Sequence, residues 1–311
     1  MAYYIEEINR RVKDDPKGFI ADVDMSYAQR IEQAANAICK NLTTSPIVLL
    51  SGPSGAGKTT TAKRIEDELE RRGINSHTVS MDNYFNTLDL RTCPRTPEGE
   101  VDFESPRLLD MDLLNEHFRL LSAGEEIRVP YFMFTRQKRS ASQFTPLRLK
   151  ENEVAIFEGI HALNDLITDK NPGAFGLYIA ASSETVFPGG GVFKPEWTRL
   201  MRRIVRDNNF RGADAEYTLS LWDNVMRGER EHITPFIGKA DLILDSSLEY
   251  EMSVLAQFAL PLLRELTEGR EGYEEVREIM GYLDKYAPLD PALIAADSLL
   301  REFIGGGIYQ Y

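Results

Sequence analysis

A glycine-rich segment, GPSGAGKT at residues 52–59, has the residue types and the spacing of a phosphate-binding loop. Its glycines allow tight backbone turns, so that successive N–H groups can point at phosphate oxygens. Lys58 is spaced to reach the β- and γ-phosphates, and the Thr59 hydroxyl is spaced to bind Mg²⁺. The segment therefore predicts an ATP-binding site made of Gly52, Ser54, Gly55, Ala56, Gly57, Lys58, Thr59 and Thr60.

Two acidic residues follow short apolar runs further along the chain. Asp82 comes directly after HTVSM, and Glu158 ends the run VAIF. Open α/β sheets bind their ligands at the carboxyl ends of the strands, so we expect both side chains near the glycine-rich loop. Asp82 is the candidate catalytic base, and the candidate Mg²⁺ ligands are Thr59, Glu158 and Asp82. Either acid taken alone is equally well read as an exposed strand end.

Arginines recur at spacings of three and four in the segment TRLMRRIVRD, which begins at Thr198. Such spacing places several guanidinium groups on one face of a helix. In an acidic chain this clustering predicts a lid over the phosphates of ATP, although pairing with surface carboxylates is the alternative. We assign Arg203 to charge neutralisation during catalysis, Arg202 and Arg206 to ATP, and Arg199 to the substrate side.

The elements that must position these residues alternate between short apolar strands and amphipathic helices. Five strand candidates lie at 46–51, 75–81, 153–160, 176–181 and 240–246, and a β-hairpin is predicted between Ile127 and Leu149. This pattern favours an α/β three-layer fold with a parallel five-stranded sheet and a hairpin on the substrate side. The expected organisation is a helical extension over 1–45, a kinase domain over 46–265 and a second helical extension over 266–311.

Composition narrows the range of partners. The chain has 36 basic and 49 acidic residues, for a net charge of −13, which disfavours binding to nucleic acid. Its two cysteines lack metal-ligand spacing, and there is no run of about 18 apolar residues. We therefore expect a cytoplasmic protein without nucleic-acid or membrane partners, and we leave a homo-oligomer open.

These segments, in this order, resemble the uridine kinase and phosphoribulokinase family, and in particular its bacterial uridine-kinase-like branch. The resemblance covers about residues 46–265. It implies a five-stranded parallel P-loop core, Asp82 as base, Thr59 and Glu158 serving Mg²⁺, and the arginine-rich helix as lid. The matching segments are GPSGAGKTT at 52–60, SMDNYF at 80–85, DFESPRLLD at 102–110, VPYFMFTRQKR at 129–139, IFEGIHAL at 156–163, RLMRRIVRDNNFRG at 199–212 and ADLILDSS at 240–247.

The resemblance also implies a substrate, which is a small molecule with a hydroxyl group, such as uridine or cytidine. Uridine-cytidine kinases usually carry Tyr-Asp-Phe followed shortly by His, whereas this chain has Phe132-Met133-Phe134 and Gln137. A sugar, a sugar phosphate or a pantothenate-like alcohol is therefore an alternative acceptor, and a non-catalytic ATP-binding regulatory module is a third hypothesis. The predicted substrate-side residues are Asp82, Tyr84, Glu104, Phe132, Phe134, Arg139 and Arg199.

Overall fold

A computed structural model describes residues 1–269 and 272–309, which form ten strands and eleven helices. The strands are β1 Ala2–Tyr4, β2 Ile47–Ser51, β3 Asn75–Ser80, β4 Ile127–Met133, β5 Lys138–Leu147, β6 Glu153–Glu158, β7 Phe175–Ala180, β8 Glu184–Val186, β9 Val192–Phe193 and β10 Leu242–Asp245. The helices are α1 Ile5–Asp14, α2 Pro16–Asn41, α3 Lys58–Glu70, α4 Met111–Ser122, α5 Asp165–Thr168, α6 Pro195–Phe210, α7 Ala215–Ser220, α8 Trp222–His232, α9 Glu251–Arg264, α10 Tyr273–Leu283 and α11 Arg301–Ile304.

Five of these strands form one parallel sheet in the order β10-β7-β2-β6-β3. Every residue of its central strand, β2, is buried, as a strand covered by helices on both faces requires. Val48 and Leu50 face one hydrophobic cluster, while Ile47 and Leu49 face another on the opposite side of the sheet. The predicted three-layer α/β fold with five parallel strands is confirmed.

The position of β2 fixes where a ligand can bind. Its two neighbours in the sheet are β6 on one side and β7 on the other. The chain therefore leaves the carboxyl end of β2 at a point where connections run to both sides of the sheet, which opens a crevice there. The loop of residues 52–57 lies at this end, directly before α3.

The predicted hairpin is present outside the main sheet. Strands β4 and β5 pair antiparallel from Ile127 opposite Leu147 to Met133 opposite Lys138. The pairing shifts register between Pro130 and Phe132, which separates the base of the hairpin from its tip. The base packs with α4 into the cluster that contains Ile47 and Leu49. The tip lies beside the segment that follows β3, where the N–H of Leu88 donates to the carbonyl oxygen of Gln137 at 3.1 Å.

Both terminal extensions pack against the sheet domain. Helices α1 and α2 contribute to the same hydrophobic cluster as α3, α6 and α9, and so do Leu299 and Phe303 near the end of the chain. No helix in residues 1–269 or 272–309 is long and apolar enough to cross a membrane.

Candidate active site

The glycine-rich loop forms one wall of a cleft at the carboxyl end of the sheet. Gly55 and Gly57 have positive φ angles of 77° and 81°, a backbone conformation that glycine adopts without strain. The first turn of α3 follows, so its free N–H groups and the positive end of its dipole face the cleft. The cleft has a volume of about 170 Å³ and is lined by Ser54, Gly55, Gly57, Lys58, Thr59, Asp82, Glu158, Gly159, Ile160, Arg206, Arg211 and Glu302.

Asp82 and Glu158 reach this cleft from neighbouring strands. Ser80 at the end of β3 lies opposite Glu158 at the end of β6, and Glu158 lies opposite Leu50 in β2. Burial raises the pKa of Glu158 to about 7, against the opposing effect of Lys58. Asp82 is exposed, but partial desolvation within the cleft also raises its pKa, again opposed by Lys58. The structure thus brings together the two carboxylates, Lys58 and Thr59, as the sequence predicted.

Lys58 is half-buried and lines this cleft. Its Nζ donates a hydrogen bond to the carbonyl oxygen of Pro53 at 3.2 Å. Burial lowers its pKa, while the negative charges of Glu158 and Asp82 oppose that shift. The ammonium group is thus desolvated beside two carboxylates, in a place where an added anionic ligand would interact with it strongly.

The oxygen atoms in this cleft fit Mg²⁺. The Thr59 hydroxyl opposes the rise in the pKa of Glu158, and the Oε2 of Glu158 is buried without a hydrogen-bond partner in the described part of the chain. Within residues 1–269 and 272–309, no three His, Cys, Asp or Glu side chains form a closed metal-binding cluster. A hydroxyl and one or two carboxylates suit Mg²⁺, which keeps several waters and binds phosphate oxygens alongside few protein ligands.

Helix α6 supplies positive charge to the cleft. Arg206 lines it together with Arg211, which directly follows the helix. Arg203 donates a hydrogen bond to the Ser54 hydroxyl at 3.1 Å, and burial lowers its pKa. The carboxylate of Asp207 pairs with all three guanidinium groups, at 3.3 Å from Arg203, 2.7 Å from Arg206 and 3.5 Å from Arg211.

Arg199 and Arg202 belong to the same helix but do not line the cleft. Arg202 is fully buried, pairs with Glu251 at 2.7 Å, and donates to the carbonyl oxygen of Gly55 at 3.2 Å. Arg199 pairs with Glu229 at 2.7 Å and donates to the carbonyl oxygen of Ser54 at 3.2 Å. Both guanidinium groups therefore stabilise the glycine-rich loop through its backbone carbonyl oxygens. Direct contact of either group with ATP or substrate stays a prediction.

An apolar pocket of about 250 Å³ lies on the hairpin side. Phe132 is buried in its wall, and Phe134 is 58% exposed at its rim. The two rings meet edge to face, with centroids 5.1 Å apart. The full lining is Phe85, Asn86, Leu88, Phe103, Leu108, Phe132, Phe134 and Gln137, so that two amides are its polar side chains.

Glu104 is next in sequence to a residue of the pocket, and its carboxyl group lies near charged groups of the cleft. Its neighbour Phe103 lines the pocket, whereas Glu104 interacts electrostatically with Arg203, Lys58 and Asp82. Burial raises the pKa of Glu104 to about 7. Of the predicted substrate-side residues, Glu104 thus lies near Asp82, whereas Phe132 and Phe134 line the apolar pocket.

Tyr84 and Arg139 have other surroundings. The Tyr84 side chain is fully buried, and its hydroxyl lies 2.8 Å from Nδ1 of His117. Arg139 pairs with Asp110 at 2.8 Å and donates to the carbonyl oxygens of Phe85 and Tyr84. Neither side chain lines the apolar pocket, so their predicted contact with substrate gains no support from this geometry.

Sequence reasoning did not assign two acidic residues of the site, Asp207 and Glu302. Asp207 lies four residues from both Arg203 and Arg211, and that helical spacing is a signal for ion pairing. Glu302 lies more than 240 residues after the glycine-rich loop. No local pattern connects the two.

Comparisons with known proteins agree with this geometry. The model of the phosphoribulokinase / uridine kinase family matches residues 47–187. A uridine kinase from Vibrio campbellii is 32% identical over 202 residues, which are 64% of this chain and 85% of that protein. A uridine kinase from Halobacterium salinarum is 27% identical over 196 residues, or 63% of this chain and 77% of that protein. The chain therefore belongs to the phosphoribulokinase / uridine kinase family and is a phosphotransferase that acts on a hydroxyl group.

Proposed function

We propose that the protein transfers the γ-phosphate of ATP to a hydroxyl group of a nucleoside such as uridine or cytidine. The observation that carries this proposal is the aromatic pocket, together with Glu104, whose carboxyl group lies near Lys58 and Asp82 of the phosphate cleft. The named relatives from Vibrio campbellii and Halobacterium salinarum, both uridine kinases, support the same substrate class.

The pocket suits a flat heterocyclic ring. Nucleobases stack on aromatic side chains and present polar edges, and here Phe132 and Phe134 supply ring faces. The amides of Asn86 and Gln137 can each donate and accept hydrogen bonds, as the edge of a pyrimidine requires. With a base in the pocket, the sugar would lie beside Glu104, whose carboxyl group can accept or donate to its hydroxyls.

The cleft supplies the parts that phosphoryl transfer needs. Asp82 would orient and deprotonate the attacking hydroxyl, while Lys58, Arg203 and Arg206 would neutralise charge on the transferred phosphate. Thr59, Glu158 and Asp82 would hold Mg²⁺. When bound, that ion neutralises charge that develops on the β- and γ-phosphate oxygens.

A phosphorylated acceptor is disfavoured by the same geometry. A sugar phosphate requires cations beside its phosphate, whereas no basic side chain lies among the described residues that line the apolar pocket. Arg139, the most enclosed of the basic residues at the hairpin tip, is already paired with Asp110. The nucleoside is therefore the preferred acceptor.

The proposal can be tested by measuring ADP release from MgATP in the presence of single acceptors. The panel contains uridine, cytidine, purine nucleosides, sugars, sugar phosphates and pantothenate. We expect a pyrimidine nucleoside to stimulate turnover most. Asp82→Asn should lower kcat by about 10²–10⁴-fold, because a positioned general base contributes a factor of that size. Its effect on ATP affinity should be small, since the phosphates are held by the glycine-rich loop.

Lys58→Ala serves as the complementary variant, because it should weaken ATP binding as well as turnover. If the enzyme prefers a non-nucleoside, the proposed acceptor is wrong, but the proposed class of reaction still holds. If ATP binds in a Lys58-dependent manner and no acceptor stimulates ADP release, the kinase proposal is wrong and a regulatory ATP-binding module replaces it.

A further inference from the structure

Residues 297–305, which we name the C-terminal strap, pack directly on the glycine-rich loop. Leu299 lies so close to Gly57 that a Cβ added to this glycine would be 2.5 Å from the leucine Cδ1. Asp297 pairs with Arg64 of α3 at 2.9 Å. On the other side, the Nδ2 of Asn209 in α6 donates to the carbonyl oxygen of Phe303 at 3.2 Å. The strap thus bridges α3 and the end of the arginine-rich helix.

One side chain of the strap enters the nucleotide site. Glu302 is 7% exposed and lines the cleft together with Lys58 and Thr59. Its Oε2 accepts two hydrogen bonds from Thr60, one from the hydroxyl at 2.6 Å and one from the backbone N–H at 3.2 Å. The C-terminal strap therefore places a carboxylate among the groups predicted to bind phosphate.

The two donors of Thr60 have a specific role in a phosphate-binding loop. Thr60 is the third residue of α3, so its backbone N–H belongs to the first turn of the helix. Loops of this kind direct such first-turn N–H groups at the α- and β-phosphates of the nucleotide. A carboxylate bonded to the same N–H occupies the place of a phosphate oxygen, and the two anions would repel each other in this desolvated cleft.

We propose that the C-terminal strap is an autoinhibitory element, in which Glu302 acts as an internal mimic of the α-phosphate. ATP then binds fully only after Glu302 leaves Thr60. Helix α11 of the strap has only four residues, so few helical hydrogen bonds hold it, and its release would uncover the buried side chains of Leu299 and Phe303. Its Arg301 is bonded to carbonyl oxygens of the preceding segment, at Pro291 and Ile294, rather than to the loop. These bonds are kept if residues 291–305 move as one segment.

The hydrogen bond between Asn209 and Phe303 links the strap to the end of α6. Movement of the strap removes an acceptor from the end of the helix that carries Arg203 and Arg206. Nucleotide binding and adjustment of the arginine-rich helix are therefore coupled through the strap. This inference rests on the proposed nucleotide site.

The test compares ADP binding to the full chain with that to Glu302→Ala and Glu302→Gln, by calorimetry in the presence of Mg²⁺. Loss of the carboxylate frees the Thr60 N–H and removes a repulsive charge, so we expect Glu302→Ala to bind ADP at least about tenfold more tightly. Glu302→Gln loses the charge but keeps an acceptor, so its affinity should be intermediate. Glu274→Ala is the control, because it removes an exposed C-terminal carboxylate whose side chain is 79% exposed.

A second measurement does not depend on a substitution. Hydrogen exchange of the wild-type backbone over residues 297–305 should become faster when ADP binds, because the strap is displaced. Unchanged exchange, or equal or weaker ADP binding by Glu302→Ala, overturns the inference. Failure of the proposed nucleotide site has a different signature, which is no ADP binding by wild type or by Glu302→Ala.

Discussion

At the scale of single residues, Glu104 differs from the other acids of its loop in the environment of its carboxyl group. Burial raises its pKa from 4.5 to about 7, although Arg203 opposes the shift. Between these pH values the unfolded chain loses the proton while the folded protein keeps it. The free energy of unfolding therefore falls as the pH rises through this range, because ionisation of Glu104 stabilises only the unfolded chain.

Glu104→Gln removes this titration. We expect the stability of the variant relative to wild type to increase between pH 5 and pH 8, by about 2–3 kcal/mol. Urea denaturation at the two pH values measures this difference. Glu100→Gln removes an exposed carboxylate from the same loop and serves as the control. Equal pH dependence of the two variants would show that the Glu104 carboxyl group is not buried as described.

The positions of some site residues, but not of others, could be predicted from the sequence. The loop around Lys58, together with Asp82 and Glu158, could be predicted because each follows a strand whose end fixes its location. Tyr84 and Arg139 also come from segments that resemble the family, but sequence does not determine which way a side chain turns. Their polar groups instead complete hydrogen bonds with His117 and Asp110 inside the protein.

At the scale of elements, the arginine-rich helix α6 depends on one carboxylate. Asp207 pairs with Arg203, Arg206 and Arg211, and its own side chain is only 6% exposed. Asp207→Asn would leave three neighbouring cations without a buried counter-charge. We expect the free energy of unfolding to fall by about 3 kcal/mol, the usual cost of removing one partner of a buried ion pair.

Chemical denaturation of Asp207→Asn checks this expectation. Arg277→Ala is the comparison, because it breaks the ion pair with Glu274, in which both side chains are more than 60% exposed. That exposed pair should contribute less than about 1 kcal/mol. A loss of similar size in both variants would mean that Asp207 does not organise the helix.

The hairpin of β4 and β5 allows a matched test of the apolar pocket. Phe134 and Phe144 are both exposed on it, at 58% and 47%, but only Phe134 lines the pocket. Stacking of a base on an aromatic ring contributes about 1–3 kcal/mol. We therefore expect Phe134→Ala to raise KM for the nucleoside about tenfold and Phe144→Ala to leave it unchanged, as measured by steady-state kinetics. Equal effects of the two substitutions on KM would contradict binding of the nucleobase in this pocket.

Elements differed in how well sequence could predict them. The five strands of the sheet are apolar runs bounded by turn residues, and each was predicted to within two residues of its observed ends. The short strand β1 pairs with β8 across more than 180 residues of sequence, and β9 pairs with β8 at its other edge. Such pairing depends on tertiary contacts rather than local preference, and the same holds for the four-residue helix α11.

At the scale of the whole molecule, the two ends of the chain share one hydrophobic cluster with the sheet. Ile8 of α1, Leu289 and Phe303 all belong to the cluster that also contains Leu50 of the central strand. Periodicity indicates that a helix has an apolar face, but it does not identify the surface that this face covers. This is why the extensions were predicted as helices without an assigned position.

Asn9 joins the two extensions by hydrogen bonds. Its Nδ2 donates to the carbonyl oxygen of Lys285 at 2.8 Å, and its Oδ1 accepts from the N–H of Ala287 at 2.7 Å. Asn9→Ala would leave both backbone groups without their partner. We expect the free energy of unfolding to fall by about 1 kcal/mol, because one hydrogen bond is exposed and the other only partly buried, so that water replaces part of what is lost.

Fluorescence of Trp197 and Trp222 and far-UV circular dichroism, followed through the same urea titration, measure this loss. Asn208→Ala is the control, since it also removes an asparagine from a helix, at an exposed position. If the shared cluster unites the extensions with the sheet, the two probes give coincident transitions, and Asn9→Ala shifts both equally. Separate transitions, with only one of them moved by Asn9→Ala, would mean that the extensions unfold independently of the sheet that carries the active site.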